Sequence, residues 1–136
     1  MTLRIGTLFA NDITRRIEEV IKVDQTDEQV LRDEIDEYVV TESIRAHYTT
    51  ILDSYRETPN RPHEGIAVWV SGFFGSGKSS FAKMLGLAIS NRPVDGVPAG
   101  RRFAQRTGND KVDVLLRTIA EQIPTHAVIF DVSTDR

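Results

Sequence analysis

Residues 66–89 read IAVWVSGFFGSGKSSFAKMLGLAI. A short apolar run comes first, a glycine-rich loop follows, and the last part repeats apolar residues at helical spacing. The loop fits the P-loop pattern, in which a glycine and four further residues precede Gly-Lys-Ser or Gly-Lys-Thr. Because strand, loop and helix in this order are the context in which the motif binds nucleotides, this stretch decides the fold that we predict.

The loop offers several groups suited to phosphate. Its glycines allow backbone angles that turn successive N–H groups inward, and the N-terminus of the following helix favours an anion. Lys78 is placed to reach the β- and γ-phosphates, and the Ser79 hydroxyl is placed to bind Mg²⁺. We therefore predict that the nucleotide binds to nine consecutive residues: Gly72, Phe73, Phe74, Gly75, Ser76, Gly77, Lys78, Ser79 and Ser80.

Phe73 and Phe74 have three interpretations. They could pack over the nucleotide, dock on a neighbouring element, or pack into the core, and we favour core packing.

Length and composition limit the other functions. The chain has 136 residues, a net charge of −3 and no cysteine. The length is enough for the hydrophobic core of one domain. The net charge gives no basic surface for nucleic acid, and the absence of cysteine excludes a thiolate metal site. No apolar run approaches the length of a membrane span, and the N-terminus lacks an apolar signal core. We therefore expect a cytoplasmic protein with no membrane contact.

The first 56 residues predict a small, mainly helical region. Thr26 and Thr41 are expected to begin two helices, and Pro59 is expected to stop the second. Residues 13–23 fit either a helix or a strand, and the β-branched residues at their end favour a strand there. We divide the chain into a helical lead-in at 1–56, a linker at 57–65 and the start of a nucleotide-binding core at 66–136.

Residues 91–106 predict an irregular segment and then an arginine cluster. Gly96, Pro98 and Gly100 disfavour regular structure. Phe103 is flanked by Arg101, Arg102 and Arg106. These arginines could supply an arginine finger, a nucleic-acid contact or a solvated helix face. We favour the solvated face.

The C-terminal part predicts a helix and a buried strand. Asn109 or Asp110 is expected to cap the helix, and Pro124 to close it. Residues 127–132 are almost continuously apolar, as a parallel strand covered on both faces should be. Asp131 at the end of this strand is a candidate Walker B carboxylate for Mg²⁺. The alternative is that 127–132 is an earlier strand and that the true Walker B lies further along the chain.

These patterns together predict an α/β fold, a partial parallel sheet of the P-loop NTPase type preceded by the helical lead-in. Such a sheet has five or more strands with crossover helices. After Lys78 there is room for about one more strand. We therefore expect an N-terminal fragment of a larger protein.

Four stretches resemble one known family. They are residues 5–9, 17–23, 37–41 and 70–80. The chain is similar there to the N-terminal part of the BrxC family, the P-loop ATPases of bacterial BREX phage-defence systems. The resemblance implies an AAA+-like ATPase that binds ATP and Mg²⁺ and acts with other BREX proteins, among them a DNA methyltransferase and a phosphatase-like component. Of the functional residues of this family, only those of the P-loop can be assigned in this chain, at positions 72–80.

We also expect homo-oligomers, and contact with DNA through the full complex. A small P-loop phosphotransferase is an alternative, although such proteins usually begin close to the P-loop strand. A second alternative is a protein-interaction and assembly module of the same system that does not hydrolyse nucleotide. For the fragment alone we expect weak nucleotide binding and no appreciable turnover.

Overall fold

The computed structural model describes residues 4–9, 13, 22, 25–62 and 65–130. Within these ranges the chain forms five α-helices and one short hairpin. The helices are α1 (Glu28–Glu37), α2 (Glu42–Arg56), α3 (Lys78–Ser90), α4 (Ala99–Thr107) and α5 (Asp110–Gln122). The strands β1 (Pro93–Val94) and β2 (Val97–Pro98) lie between α3 and α4, and short 3-10 turns occur at Ile5–Leu8 and Thr58–Asn60.

Local capping chemistry sets where the helices begin. The Thr41 side chain accepts the Ile44 N–H at the start of α2, and Asn109 does the same for Val112 at the start of α5, so both predicted caps are confirmed. Helix α1 begins one residue later than predicted. The Asp27 carboxylate, not the Thr26 hydroxyl, accepts the first free N–H groups of that helix.

The hydrophobic core lies between the five helices. Its most deeply buried side chains are each at most 1% exposed: Leu31, Ile35, Tyr48, Leu52, Met84, Val94, Ala99, Phe103, Val112 and Ile119. Helices α2 and α4 each pack against α5, and α4 also packs against α3. Gly100 permits the close contact between α4 and α3, because a Cβ atom at this position would lie only 2.8 Å from the Ala88 carbonyl oxygen. Side chains from 25–56 and from 78–123 therefore share one core.

The segment expected to be irregular contains a hairpin and α4. Asp95 and Gly96 have φ values of 50° and 71°, the pair of positive angles that a type I′ turn requires. Arg102 donates from Nε to the Val94 carbonyl at 3.1 Å, and Arg32 pairs with the Asp95 carboxylate at 3.0 Å. The hairpin thus connects α1 with α4.

The predicted parallel sheet is wrong. The strand pairing found in the described residues is antiparallel, with Pro93 opposite Pro98 and Val94 opposite Val97. Residues 66–70 and 127–130, which we call the two apolar segments, form neither helix nor strand, and no backbone hydrogen bond joins them. The chain is therefore a helical assembly, not an α/β fold of the P-loop NTPase or AAA+ type.

The first apolar segment lines an open cleft and the second lies against a helix, instead of pairing with each other. Val68 and Val70 line a cleft together with side chains of α2. Ile129 lies against α3 where Gly86 has no side chain, since a Cβ atom there would be 2.7 Å from Ile129 Cδ1. An apolar, β-branched run has the same sequence pattern whether it lies on a helix or inside a sheet, and this explains the incorrect prediction.

Candidate phosphate-binding site

The glycine-rich loop leads directly into α3. The Phe73 carbonyl accepts the Ser76 N–H at 3.2 Å and closes a turn. Gly75, at the third position of this turn, has a φ of 77°, as a type II turn requires. Gly77 precedes α3 with a φ of 84°, a left-handed conformation that costs other residues about 1–2 kcal/mol. Two glycines of the motif are therefore required by the backbone conformation.

The first turn of α3 has unpaired backbone donors. Gly77 supplies no side-chain cap, and no acceptor within the described residues reaches the N–H groups of Lys78, Ser79 or Ser80. Such groups point out of the helix end and carry its partial positive charge. They form a surface suited to an anion.

The Lys78 side chain folds back onto the same loop. Its Nζ donates to the Gly72 carbonyl at 2.9 Å and to the Phe73 carbonyl at 2.7 Å. A phosphate oxygen would offer the ammonium a charged acceptor in place of these neutral carbonyls, and charge-assisted hydrogen bonds are roughly twice as strong. The lysine is thus held beside the loop by contacts that a phosphate can replace.

Ser79 fits Mg²⁺ only as a partner of a bound nucleotide. The residue is exposed, and among the residues that the structure describes no group of three or more His, Cys, Asp or Glu side chains could hold a metal ion. Mg²⁺ keeps several waters and takes phosphate oxygens with few protein ligands, so a single hydroxyl is compatible with that role. The Walker B candidate Asp131 lies outside the described residues.

Two further sequence-based interpretations can be compared with the structure. Phe73 and Phe74 are 91% and 106% exposed, so the favoured core packing is wrong for both. Arg106 donates from Nε to the Tyr38 carbonyl at 2.7 Å. Arg101 and Arg106 are nevertheless exposed, as the favoured solvated face predicts, whereas Arg102 is only 15% exposed and ties α4 to the hairpin.

A cleft opens between the loop and the first half of α2. Its volume is about 780 Å³. Side chains of Ser43, Ile44 and His47 on α2 line it opposite the loop, from which Gly72 to Lys78 contribute most residues. The apolar stripe of α2 predicted the buried face of this helix, but no pattern in the sequence indicated that its neighbouring polar residues would face the P-loop.

Tyr48 connects α2 to the P-loop helix. Its ring stacks on Phe81 with centroids 4.3 Å apart, and its hydroxyl donates to the Phe81 carbonyl at 3.0 Å. Phe103 packs edge-on against the same ring. Because Phe81 lies in the first turn of α3, Tyr48 holds the start of the P-loop helix in place.

We expect Tyr48→Phe to change how stability depends on pH. Burial raises the pKa of Tyr48, so the folded chain keeps a proton that the unfolded chain loses above about pH 10. The wild type should be more stable by about 1 kcal/mol at pH 8. This advantage should fall by about 1.4 kcal/mol for each pH unit above pH 10. Urea unfolding of both proteins at pH 8 and pH 11 measures the difference, and an unchanged difference would contradict the assignment.

A buried ion pair between α1 and α3 was not found from the sequence. The Lys83 ammonium is 2.5 Å from Glu34 Oε2 and donates to the Lys22 carbonyl at 2.6 Å. The two side chains are 1% and 16% exposed. No well-aligned hydrogen bond from the described residues reaches this Glu34 oxygen, so the ammonium charge stabilises it. Helical spacing in α3 cannot identify an acidic partner about 50 residues earlier in the chain.

Comparisons with known proteins do not assign the chain to a family. No protein-family model matches the sequence. No solved structure matches the fold. None of the helices in the described ranges is long and apolar enough to cross a membrane.

Proposed function

We propose that residues 72–80 bind the phosphates of ATP together with Mg²⁺. The observation that carries the proposal is the position of Lys78, whose ammonium lies on the Gly72 and Phe73 carbonyls at the N-terminal end of α3. The strand that precedes the loop in the usual context of the motif is absent at residues 66–70, so the proposal rests on the other parts of the motif. It depends on the loop, on the unpaired N–H groups of the first turn and on one cation.

Three residues of the loop have a defined task in this proposal. The N–H groups of Lys78, Ser79 and Ser80 donate to phosphate oxygens, and the Lys78 ammonium leaves its carbonyl acceptors for the β- and γ-phosphates. The Ser79 hydroxyl is a ligand for Mg²⁺. When bound, this ion would neutralise charge on the phosphates.

We extend the proposal to the biological role suggested by the sequence resemblance. The chain would be the ATP-binding segment of a BREX-type antiphage ATPase in the cytoplasm. It would form homo-oligomers, act with a DNA methyltransferase and other BREX proteins, and reach DNA through the full complex. This part rests on the resemblance of residues 5–9, 17–23, 37–41 and 70–80.

Replacement of Lys78 by alanine tests nucleotide binding. We expect Lys78→Ala to weaken binding of ATP and Mg²⁺ about 100-fold, because two charge-assisted contacts to phosphate are lost. Isothermal titration calorimetry measures the affinity. Lys111→Ala removes an exposed lysine of α5 outside the cleft and should bind like the wild type. Equal affinities of Lys78→Ala and the wild type would remove the proposal.

A second candidate function is assembly without nucleotide. The exposure of Trp69, Phe74 and Phe130, which are 90%, 106% and 72% exposed, favours it, since aromatic side chains are enriched at protein–protein interfaces. Co-elution with a BREX methyltransferase, with and without ATP, separates the two functions. The ATP-binding role predicts complexes that require ATP and are lost in Lys78→Ala. An assembly module predicts the same complexes from both proteins without ATP.

A further inference from the structure

The cleft beside the loop is larger than a phosphate chain requires. Its volume of about 780 Å³ lies within the range of 300–1,000 Å³ that is common for sites of whole cofactors. The loop forms one side of it. Residues 38–41 before α2, helix α2 itself and residues 68–70 form the other walls, so the space continues from the phosphate-binding groups toward residues that the P-loop motif does not include.

The other walls offer flat aromatic surfaces and hydrogen-bonding side chains. Trp69 and Phe73 line the cleft and are 90% and 91% exposed, so their ring faces are uncovered by the described residues. On α2, the Ser43 hydroxyl and His47 Nε2 lie 3.5 Å apart on the same wall. Aromatic rings that stack and a few polar groups at the edge are the chemistry that recognises a nucleobase and its ribose.

The charge of the cleft suits the same ligand. Among its lining residues in the described chain there is no Asp or Glu, and Lys78 is the one Lys or Arg. A neutral base can therefore lie against α2 without a facing carboxylate, while its phosphates reach the ammonium. Exposed aromatic residues could also dock a protein, but these two share a cleft with the phosphate-binding loop, which favours a ligand that extends from it.

We propose that Ser43 and His47 of α2, with Trp69 and Phe73, hold the base and ribose of the nucleotide whose phosphates bind to residues 72–80. This inference rests on the proposed function. It assigns nucleoside specificity to a helix of the predicted lead-in, outside the glycine-rich motif.

The test compares ATP with inorganic tripolyphosphate, each with Mg²⁺, by calorimetry on the whole chain. We expect ATP to bind at least tenfold more tightly, because tripolyphosphate has no base or ribose to contact the cleft walls. Trp69 is the one tryptophan of the chain, so its fluorescence reports the aromatic wall directly. ATP should quench it, and tripolyphosphate should leave it unchanged.

Variants locate the contact. Trp69→Leu and His47→Ala should each weaken ATP binding about tenfold and leave tripolyphosphate binding unchanged. Thr50→Ala, on an exposed part of α2 that does not line the cleft, should match the wild type for both ligands.

Two outcomes would overturn the inference. If ATP and tripolyphosphate bind equally, both depend on Lys78 and the cleft variants change neither affinity, then the loop binds phosphate alone and the proposed function survives without this inference. If neither ligand binds to the wild type, both proposals fail.

Discussion

Lys83→Met is expected to lower the free energy of unfolding by about 3–5 kcal/mol. The substitution leaves Glu34 in a position where its side chain is only 16% exposed and its Oε2 has lost the ammonium 2.5 Å away. An uncompensated buried carboxylate is costly because little water reaches it. Equilibrium urea unfolding at pH 7 measures the loss.

A second substitution tests whether the cost comes from the charge. Lys83→Met combined with Glu34→Leu removes both charges and should return stability to within about 1 kcal/mol of the wild type. Lys111→Met replaces an exposed lysine and should change stability by less than about 0.5 kcal/mol. A loss below about 1 kcal/mol for Lys83→Met alone would mean that the pair is solvated and does not join α1 to α3.

Leu52→Ala is expected to destabilise the whole helical assembly by about 2–5 kcal/mol. Leu52 is fully buried on α2, and α2 packs extensively against α5. Removing the side chain leaves a cavity where the predicted lead-in meets the C-terminal helix. Val114→Ala, at a residue of α5 that is 55% exposed, is the matched control and should cost little.

Hydrogen exchange measured by mass spectrometry shows how far the effect of Leu52→Ala spreads. If 1–56 and 66–136 unfold as one unit, amides in α2 and in α5 should exchange faster by the same factor. Faster exchange in α2 with unchanged exchange in α5 would instead support a separate domain at 1–56. The experiment therefore tests the predicted domain boundary directly.

Features that depend on neighbouring residues were predictable from the sequence. Thr41 and Asn109 begin their helices because each side chain reaches a backbone N–H three residues ahead, and both partners are visible in the sequence. The glycine positions of the loop are predictable for the same reason. The motif predicts that a helix follows the loop, and α3 does follow it, beginning at Lys78.

Features that depend on distant residues were not predictable. The two apolar segments suggested strands, but whether a partner strand lies next to them is decided by the whole chain. Gly100 suggested a loop, whereas it allows α4 to approach the end of α3.

The hairpin could have been identified, since Asp95-Gly96 between two valines is a strong local signal for a type I′ turn.

The two apolar segments have a practical consequence for the purified protein. Their backbone groups have no strand partner within the described residues, and Trp69, Val128 and Phe130 are each more than 70% exposed. An unpaired, apolar backbone is a template on which a second molecule can add strands. Concentrated samples of this helical protein should therefore precipitate as aggregates rich in intermolecular β-structure, and solutions for crystallisation or spectroscopy should be kept dilute.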